Sequence, residues 1–460
     1  MALADGREER GPSLRSMASP LRIALLGCGV VGRGVVSLLA DNHAYLARRI
    51  GAPIEIAHVV VRDLDKARAA LPPNVASVLT QDATMAIDDP SVEVVVELAG
   101  GLEPAGTWLS RALGSGRSVV TANKALLAER GGELLAIARK NKVDLAFEAS
   151  VGGAIPIVRT LRDHLVSDWV RSLHGIVNGT CNYILTRMRD EGAPFAEVLA
   201  DAQRLGYAEA EPSLDVDGHD AAHKLCVLAM LAFGAEVSPK DVWTEGIRGV
   251  QPIDHRYAAR FGFAIKHLAV GREVAGALDL RVAPAMVPAR MPLASVDGVL
   301  NAIALEADGA GAQVLVGRGA GSLPTAVSVV ADLVDVARAR RAGASGLSTL
   351  GLELTARPVA DPGEQRAAWY LRMRVTDRPG VLAQIAGCLG AHEVSIAELV
   401  QEGASGRRST DRARAAAEDA EVRAIVMLTH EARTADVRAA LVEIEKLAVV
   451  AEPAFAMRIA

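Results

Sequence analysis

From residue 21 the chain reads LRIALLG, then CGVVGRG, then VVSLLA: an apolar run, a glycine turn and a helical pattern without a gap between them. Few sequences restrict a fold as tightly. The apolar run reads as a buried strand and the segment after the turn as a helix. Gly27, Gly29 and Gly32 stand in the GxGxxG register. In that register one glycine makes a turn of positive φ, one lets a pyrophosphate approach the backbone, and one lets the helix pack tightly on the strand. The three together predict the opening of a dinucleotide-binding α/β domain.

The next segments extend the pattern. Residues 54–61 (IEIAHVVV) read as a strand ending at Arg62 and Asp63, residues 91–97 (SVEVVVE) as a strand ending in LAGG, and residues 117–122 (RSVVTA) as a strand ending at Asn123 and Lys124. Residues 143–148 (VDLAFE) form another, ending in ASVGGAIP. Helical segments separate them. This predicts a doubly wound parallel sheet over residues 21–156, with its polar motifs at the carboxyl ends of the strands, where ligands of such sheets bind. Asp63 lies further from the glycines than the usual spacing of about 20 residues, and a lengthened helix and loop over 41–53 accounts for this. Asp63 suits a ribose hydroxyl, whereas Arg62 and Lys66 suit a 2′-phosphate. The segment leans towards NADP without excluding NAD; a plain solvated loop is the alternative.

From residue 157 the pattern changes. The segment HGIVNGTCNY (174–183) reads as a polar-capped strand region leading into a helix at Ile184, and residues 265–317 read as further strands of a mixed sheet. A glycine turn, GRGAGSLPT (317–325), opens a long helix over 326–340, and a helix around 322–342 is expected to complete the first domain. An α+β domain is therefore expected over 157–321. Residues 343–366, rich in Gly, Pro, Ala and charge, read as a linker. Over 367–460 the order is strand, a TDRPG turn (376–380) with Pro379 in the first turn of a helix, strand, strand, helix, strand: a βαββαβ, ferredoxin-like pattern with a polar, Arg/Ala-rich insertion at 403–420. Residues 1–20 read as a disordered tail.

Half of the residues are hydrophobic, enough for several cores. The net charge of −5 comes without a basic block, which argues against nucleic acid as a partner. No apolar run reaches the roughly 18–20 residues that a membrane span needs, and the first residues lack the apolar stretch of a signal peptide. Cys28, Cys181, Cys226 and Cys388 lie far apart, with no CxxC pair, the usage of a reducing cytoplasm.

The chemistry concentrates in DVDGHDAAHK, residues 215–224. Asp220 and Lys224 are four residues apart, so a helix places them on one face within hydrogen-bonding reach. Elsewhere such a pair is an ordinary surface ion pair. Here the helix runs on as LCVLAMLAF, which is deeply apolar, and the pair reads as the rim of a pocket. Only eight of the 50 basic residues are lysines, so a lysine inside a polar motif stands out. A carboxylate that orients a lysine suits acid/base work on a carbonyl or alcohol. His219 and His223 have the spacing of metal ligands but no third partner, which disfavours zinc. Cys181 and Cys226 read as core residues rather than nucleophiles.

Six phrases in order, LLGCGVVGRGV, TANKALLA, EASVGGAIPI, GIVNGTCNYILTRM, LGYAEAEPSLDVDGHDAAHKL and GRGAGSLPTA, make residues 21 to about 342 resemble homoserine dehydrogenase. The tail from 369 resembles an ACT domain, a small regulatory fold that binds amino acids. With no kinase-like region ahead of the core, the resemblance is to the monofunctional form. It implies NAD(P)H-dependent, reversible reduction of L-aspartate 4-semialdehyde to L-homoserine, on the route to threonine, methionine and isoleucine, in the cytoplasm. It implies Lys224 as acid/base, Asp220 as the group that orients it and Lys124 as its polar partner near nicotinamide and substrate. Glu209 and Asp215 are implied as substrate ligands, with Asn178, Gly179 and Thr180 lining the junction of cofactor and substrate. The cofactor contacts implied are Gly27, Gly29, Val30, Val31, Gly32, Arg62, Lys66, Ala99, Gly100, Thr121, Lys124 and Gly321. Glu148, Val151, Gly153 and Ile155 match positions that hold a monovalent cation, Na+ or K+, largely through backbone carbonyls. A homodimer or homotetramer and threonine as effector of the ACT domain are implied as well.

The chemistry agrees with the residues. Hydride transfer to an aldehyde develops an alkoxide, so a positive donor must face that oxygen. An acylating aldehyde dehydrogenase such as aspartate-semialdehyde dehydrogenase would need a reactive cysteine beside a histidine, which neither Cys181 nor Cys226 offers. A non-catalytic sensor of NADP and an amino acid would have no use for the Asp220, Lys224 and Lys124 set.

Overall fold

The computed structural model describes residues 18–401 and 422–460. Most of the tail expected over 1–20 and all of the insertion expected at 403–420 lie outside the described residues.

Six parallel strands form the first sheet, in the order Leu79–Thr80, Ile54–Val60, Leu21–Leu26, Val94–Glu97, Ser118–Thr121, Leu145–Ala146. The central strands are apolar on both faces because helices cover both: Ile23, Leu25, Val94 and Val96 lie in one buried cluster, Ala24, Leu26 and Val95 in another. The edge strand Leu79–Thr80 has no counterpart in the sequence reading, since two residues are too few to show a period. The strand order reverses beside Leu21–Leu26, so the crevice that a dinucleotide occupies opens at the ends of Leu21–Leu26 and Val94–Glu97.

The helix Ser322–Arg341 returns from the far end of the second domain and packs on the first helix, Val30–Asp41. It begins four residues earlier than the glycine-turn pattern indicates. Ala326, Val329, Leu333 and Val336 share a core with Val35, Val36 and Leu39. Close contact depends on Gly34: a Cβ there would lie 2.8 Å from both the carbonyl and the hydroxyl oxygen of Ser322.

The second sheet is mixed, with its strands in the order Gly311–Arg318, Leu300–Ala307, Val170–Ile176, Phe263–Val274, Ala277–Pro288. The helix His219–Phe233 is apolar almost all round because it is covered twice, by this sheet and by the helix Lys124–Asn141 of the first domain. The helix after Val170–Ile176 starts at Gly179 rather than at Ile184. The reason is local: Asn178 is extended, and its side-chain oxygen accepts from the Cys181 amide at 2.8 Å, an N-cap that pulls the helix start forward.

Residues 367–460 fold as βαββαβ, with the strands in the order Val450–Ile459, Trp369–Thr376, Val422–Thr429, Ile396–Gln401. Their sheet is continuous with the second sheet. Ala285 and Met286 pair in parallel with Arg458 and Ile459. The segment expected as a linker at 343–366 runs along the body: Leu352 and Leu354 pack on the core, and Thr355–Ala356 pairs with Ala235–Glu236. Among the described residues no helix is long and apolar enough to cross a membrane.

Gly34→Ala is expected to force the helix Ser322–Arg341 off Val30–Asp41 and cost about 1–3 kcal/mol of stability, as overpacking does; a thermal or urea unfolding midpoint equal to that of the parent would refute this.

Candidate active site

Asp220 sits in the first turn of the helix His219–Phe233 and is 5% exposed. Its carboxylate accepts from Lys224 Nζ at 2.7 Å and from Asn178 Nδ2 at 2.9 Å, and it lies 3.2 Å from Lys124 Nζ. Three elements therefore meet on one carboxylate: its own helix, the N-cap of Gly179–Glu191, and the start of Lys124–Asn141. Burial on its own would raise the pKa of Asp220, but the Lys224 and Lys124 ammoniums and the hydrogen bonds from Lys224 and Asn178 outweigh it and hold the carboxyl well below the usual carboxylate range.

Lys224 donates a second hydrogen bond to the Val177 carbonyl at 2.7 Å. An ammonium has three N–H donors. Among the described residues two are committed, to Val177 and Asp220, leaving one for a ligand. Asn178 Nδ2 also donates to Asp215 at 2.7 Å, so one amide spans both carboxylates. Burial raises the pKa of Asp215, against the Asn178 hydrogen bond and with the help of the Asp220 charge. Thr180 donates its hydroxyl to the Tyr207 carbonyl at 2.8 Å and ties the loop 205–212 to this helix start. Glu209 lies in that loop and is exposed; the Gln203 amide holds its backbone carbonyl at 3.0 Å. Cys181 and Cys226 are fully buried. Burial raises the Cys181 thiol, joined by the charges of Asp215 and Asp220, and pushes Cys226 up to about 12, so neither is a ready thiolate.

The glycine turn meets the demands of a dinucleotide. Gly27 has φ +95°, and a Cβ on it would lie 2.7 Å from the Ala99 amide nitrogen; one on Gly29 would meet nothing within 4 Å, which leaves the backbone open for a pyrophosphate. Val30 is exposed, Val31 half-buried, and the Val30 carbonyl accepts from the Ser322 hydroxyl at 2.7 Å, which brings Gly321 to the turn. Ala99 and Gly100 donate their amides to Glu97 at 2.9 and 2.8 Å, and Thr121 donates its hydroxyl to the other Glu97 oxygen at 2.6 Å. Glu97 is fully buried and absent from the residues expected from sequence; its signal was a carboxylate closing an otherwise apolar strand. Asn123, also missed, caps the Lys124 helix through Leu126 N and donates to the Gly101 carbonyl at 2.7 Å. Arg62, Asp63 and Lys66 follow Ile54–Val60 and are exposed; Asp63 caps a short helix by accepting from Lys66 N at 2.9 Å. Among the described residues neither the Arg62 nor the Lys66 side chain has an ion-pair partner.

Glu148, Val151, Gly153 and Ile155 lie on the loop between the domains. The Glu148 carboxylate is engaged by the Val158 and Arg159 amides, each at 2.9 Å, and by Arg159 Nε at 3.1 Å. The Gly153 carbonyl accepts from the Ser328 hydroxyl at 2.6 Å, and the Ile155 carbonyl from Ile157 N at 2.8 Å.

An open nucleotide turn at a switch point, bridged through Lys124 to an ammonium with one free donor, is the equipment of a nicotinamide-dependent oxidoreductase, and fold and site place the chain in that class. The family model described as homoserine dehydrogenase, NAD binding domain, matches residues 27–148, and the model described as homoserine dehydrogenase matches residues 156–334. The homoserine dehydrogenase of Neisseria gonorrhoeae is 38% identical over 94% of this chain and 97% of its own length. The structure of a homoserine dehydrogenase from Thiobacillus denitrificans superposes with a TM-score of 0.88 at 40% identity, covering 96% of this chain and 99% of the other. A hyperthermophilic archaeal homoserine dehydrogenase solved in complex with NADPH matches 69% of this chain and 97% of its own, at 27% identity and a TM-score of 0.59. The chain belongs to the homoserine dehydrogenase family. Its activity is the family's nicotinamide-dependent interconversion of L-aspartate 4-semialdehyde and L-homoserine.

Asn178→Ala removes a helix cap and the donor shared by Asp215 and Asp220. Loss of the cap alone is expected to cost about 1 kcal/mol, and the lost hydrogen bonds to Asp215 and Asp220 add to it; an unchanged urea midpoint would contradict this role.

Proposed function

We propose that Lys224 is the acid/base of the reaction, and the observation that carries this is its third, uncommitted N–H beside a buried carboxylate. When bound, the reduced nicotinamide supplies the hydride. As the aldehyde oxygen gains negative charge, the free Lys224 donor stabilises it and gives it a proton, forming the alcohol; in the reverse direction Lys224 takes that proton back. Asp220 fixes the direction of the lysine through their 2.7 Å hydrogen bond. Lys124, on the same carboxylate, is its polar partner near the nicotinamide and the substrate. Asp215 and Glu209 hold the cationic amino group of the substrate, with Asn178, Gly179 and Thr180 at the junction.

The cofactor lies along Gly27, Gly29, Val30, Val31 and Gly32, against Ala99, Gly100, Thr121, Lys124 and Gly321. NADP is preferred over NAD, supported by the two exposed and unpaired cations Arg62 and Lys66 next to Asp63. A monovalent cation, Na+ or K+, is held by the carbonyls of Glu148, Val151, Gly153 and Ile155. In support, Gly152 and Gly153 have φ +75° and +57°, which curl this loop, and a carbonyl that already accepts one hydrogen bond keeps a second lone pair. The chain divides into 21–156 with the helix near 322–342 for the cofactor, 157–321 for substrate and dimerisation, and 367–460 for regulation. The last is an ACT domain, supported by its βαββαβ order, and it binds threonine where two such domains pair in a homodimer or homotetramer. The enzyme works in the cytoplasm, in keeping with four cysteines that are all free.

NADPH oxidation with aspartate semialdehyde tests the assignment of Lys224. Lys224→Ala is expected to lower kcat by about 10²–10⁴-fold, the worth of general acid/base catalysis, while the NADPH dissociation constant from fluorescence titration stays within a factor of two. Retained turnover would sink the assignment. In the same assay the parent enzyme is expected to be slower with NADH and to be inhibited by threonine; an enzyme indifferent to threonine would remove the effector from this reading.

A further inference from the structure

Residues 243–251 form a strap that touches the catalytic turn on one side and the C-terminal module on the other. The strap enters as Trp243–Thr244, paired in parallel with Arg281 and Val282, and the Glu245 amide donates to the Val282 carbonyl at 2.7 Å. It then crosses beneath residues 213–218, the turn that carries Asp215 and leads into Asp220. Ile247 N donates to the Val216 carbonyl at 2.9 Å. Arg248 holds Asp217 through Nε at 2.5 Å and Nη2 at 3.1 Å, and reaches the Ser213 hydroxyl at 3.1 Å. The backbones meet too closely for side chains: a Cβ on Gly218 would lie 2.8 Å from Thr244 Cγ2, and one on Gly246 would lie 2.7 Å from Asp217 Cα. A shift of the strap therefore shifts the turn, because no slack separates them.

The opposite side of the strap rests on the C-terminal module. Arg438 Nη2 donates to the Glu245 carboxylate at 2.7 Å. Arg372, 4% exposed, donates through Nη2 to the Gly249 carbonyl at 3.0 Å and through Nε to Asp254 at 2.8 Å. Asp254 is fully buried, takes a further hydrogen bond from the Tyr370 hydroxyl at 2.7 Å, and accepts from Gln251 N at 2.8 Å, at the end of the strap. The Phe455 ring closes the contact: a Cβ on Gly249 would lie 2.9 Å from it. None of these module residues belongs to the nucleotide or substrate machinery described above. All of them lie on the strands and helix of residues 367–460.

We propose that Arg372 and Phe455 are positioning residues for the reaction: by holding Gly249 and Asp254 they set the strap, and through it the turn that presents Asp215 to the substrate. The C-terminal module is then a standing support of the substrate site. The route is physically contiguous, from Arg372 to Gly249, along the strap to Ile247 and Arg248, and across to Val216, Asp217 and Asp215. The proposal rests on the assignment of Asp215 to the substrate amino group.

Gly249→Ala tests it in the full-length enzyme. The backbone of Gly249 has no positive φ, so alanine itself is tolerated and the added methyl acts only by pushing the strap away from Phe455. Misplacing a binding group by a fraction of an ångström is expected to raise the KM for homoserine about tenfold, with kcat and the KM for NADP within a factor of two of the parent. Gly249→Ala/Phe455→Leu, which makes room for the methyl, is expected to restore the homoserine KM. A parental homoserine KM in Gly249→Ala, an equal rise in both KM values, or a double variant as impaired as the single one would each overturn the proposal. Asp215→Asn, measured alongside, separates the two levels. An unchanged homoserine KM there overturns the assignment of Asp215, whereas a raised one with Gly249→Ala silent overturns the strap alone.

Discussion

One buried carboxylate holds the site together. Asp220 is shared by Lys224, Lys124 and Asn178, which belong to three different elements from both principal domains. Moving a carboxylate out of water is costly unless its charge is compensated at close range. Two ammoniums and an amide do so here, and each is thereby fixed in place. The nucleotide domain and the mixed-sheet domain are tied at this carboxylate, so domain placement and the geometry of the candidate site are one constraint.

The surrounding structure supports that point by contacts that leave no room to slide. Gly34 lets the returning helix Ser322–Arg341 lie against the first helix, and Ser322 in turn holds the glycine turn at Val30. Glu97 organises the Ala99–Gly100 turn from behind, so the loop opposite the glycine turn has a defined shape before any ligand arrives. On the far side the C-terminal module continues the mixed sheet through Arg458 and Ile459. It buries an ion pair, Asp254 with Arg372, at the junction. Removing one partner of such a pair leaves an uncompensated buried charge, at about 3–5 kcal/mol. The module is therefore part of the folded body and not a tethered appendage.

Much of the architecture was legible in the residues. Apolar runs bounded by glycine marked five of the six parallel strands, and the GxGxxG register marked the nucleotide turn, because these depend on local periodicity and on where a Cβ is tolerated. The i,i+4 spacing of Asp220 and Lys224 marked their hydrogen-bonded pair for the same local reason. Less legible were contacts between distant segments. Asn178 was expected at the junction of cofactor and substrate, but its part in bridging two carboxylates depends on residues 37 and 42 positions away. The early start of its helix came from a capping side chain that outweighed the apolar pattern. Glu97 and Asn123 shape the cofactor cleft without carrying a motif of their own.

The sequence by itself determined most of the strands and helices, where the backbone must turn through glycine, and which side chains have the chemistry for acid/base work on an alcohol. Only the tertiary structure decided that Lys124 and Lys224 share one carboxylate, that Lys224 commits two of its donors to Val177 and Asp220, and that the C-terminal strands extend the mixed sheet. The first set follows from interactions within a few residues, which a linear pattern records. The second follows from close packing between segments far apart in the chain, where what a side chain touches is set by the fold as a whole.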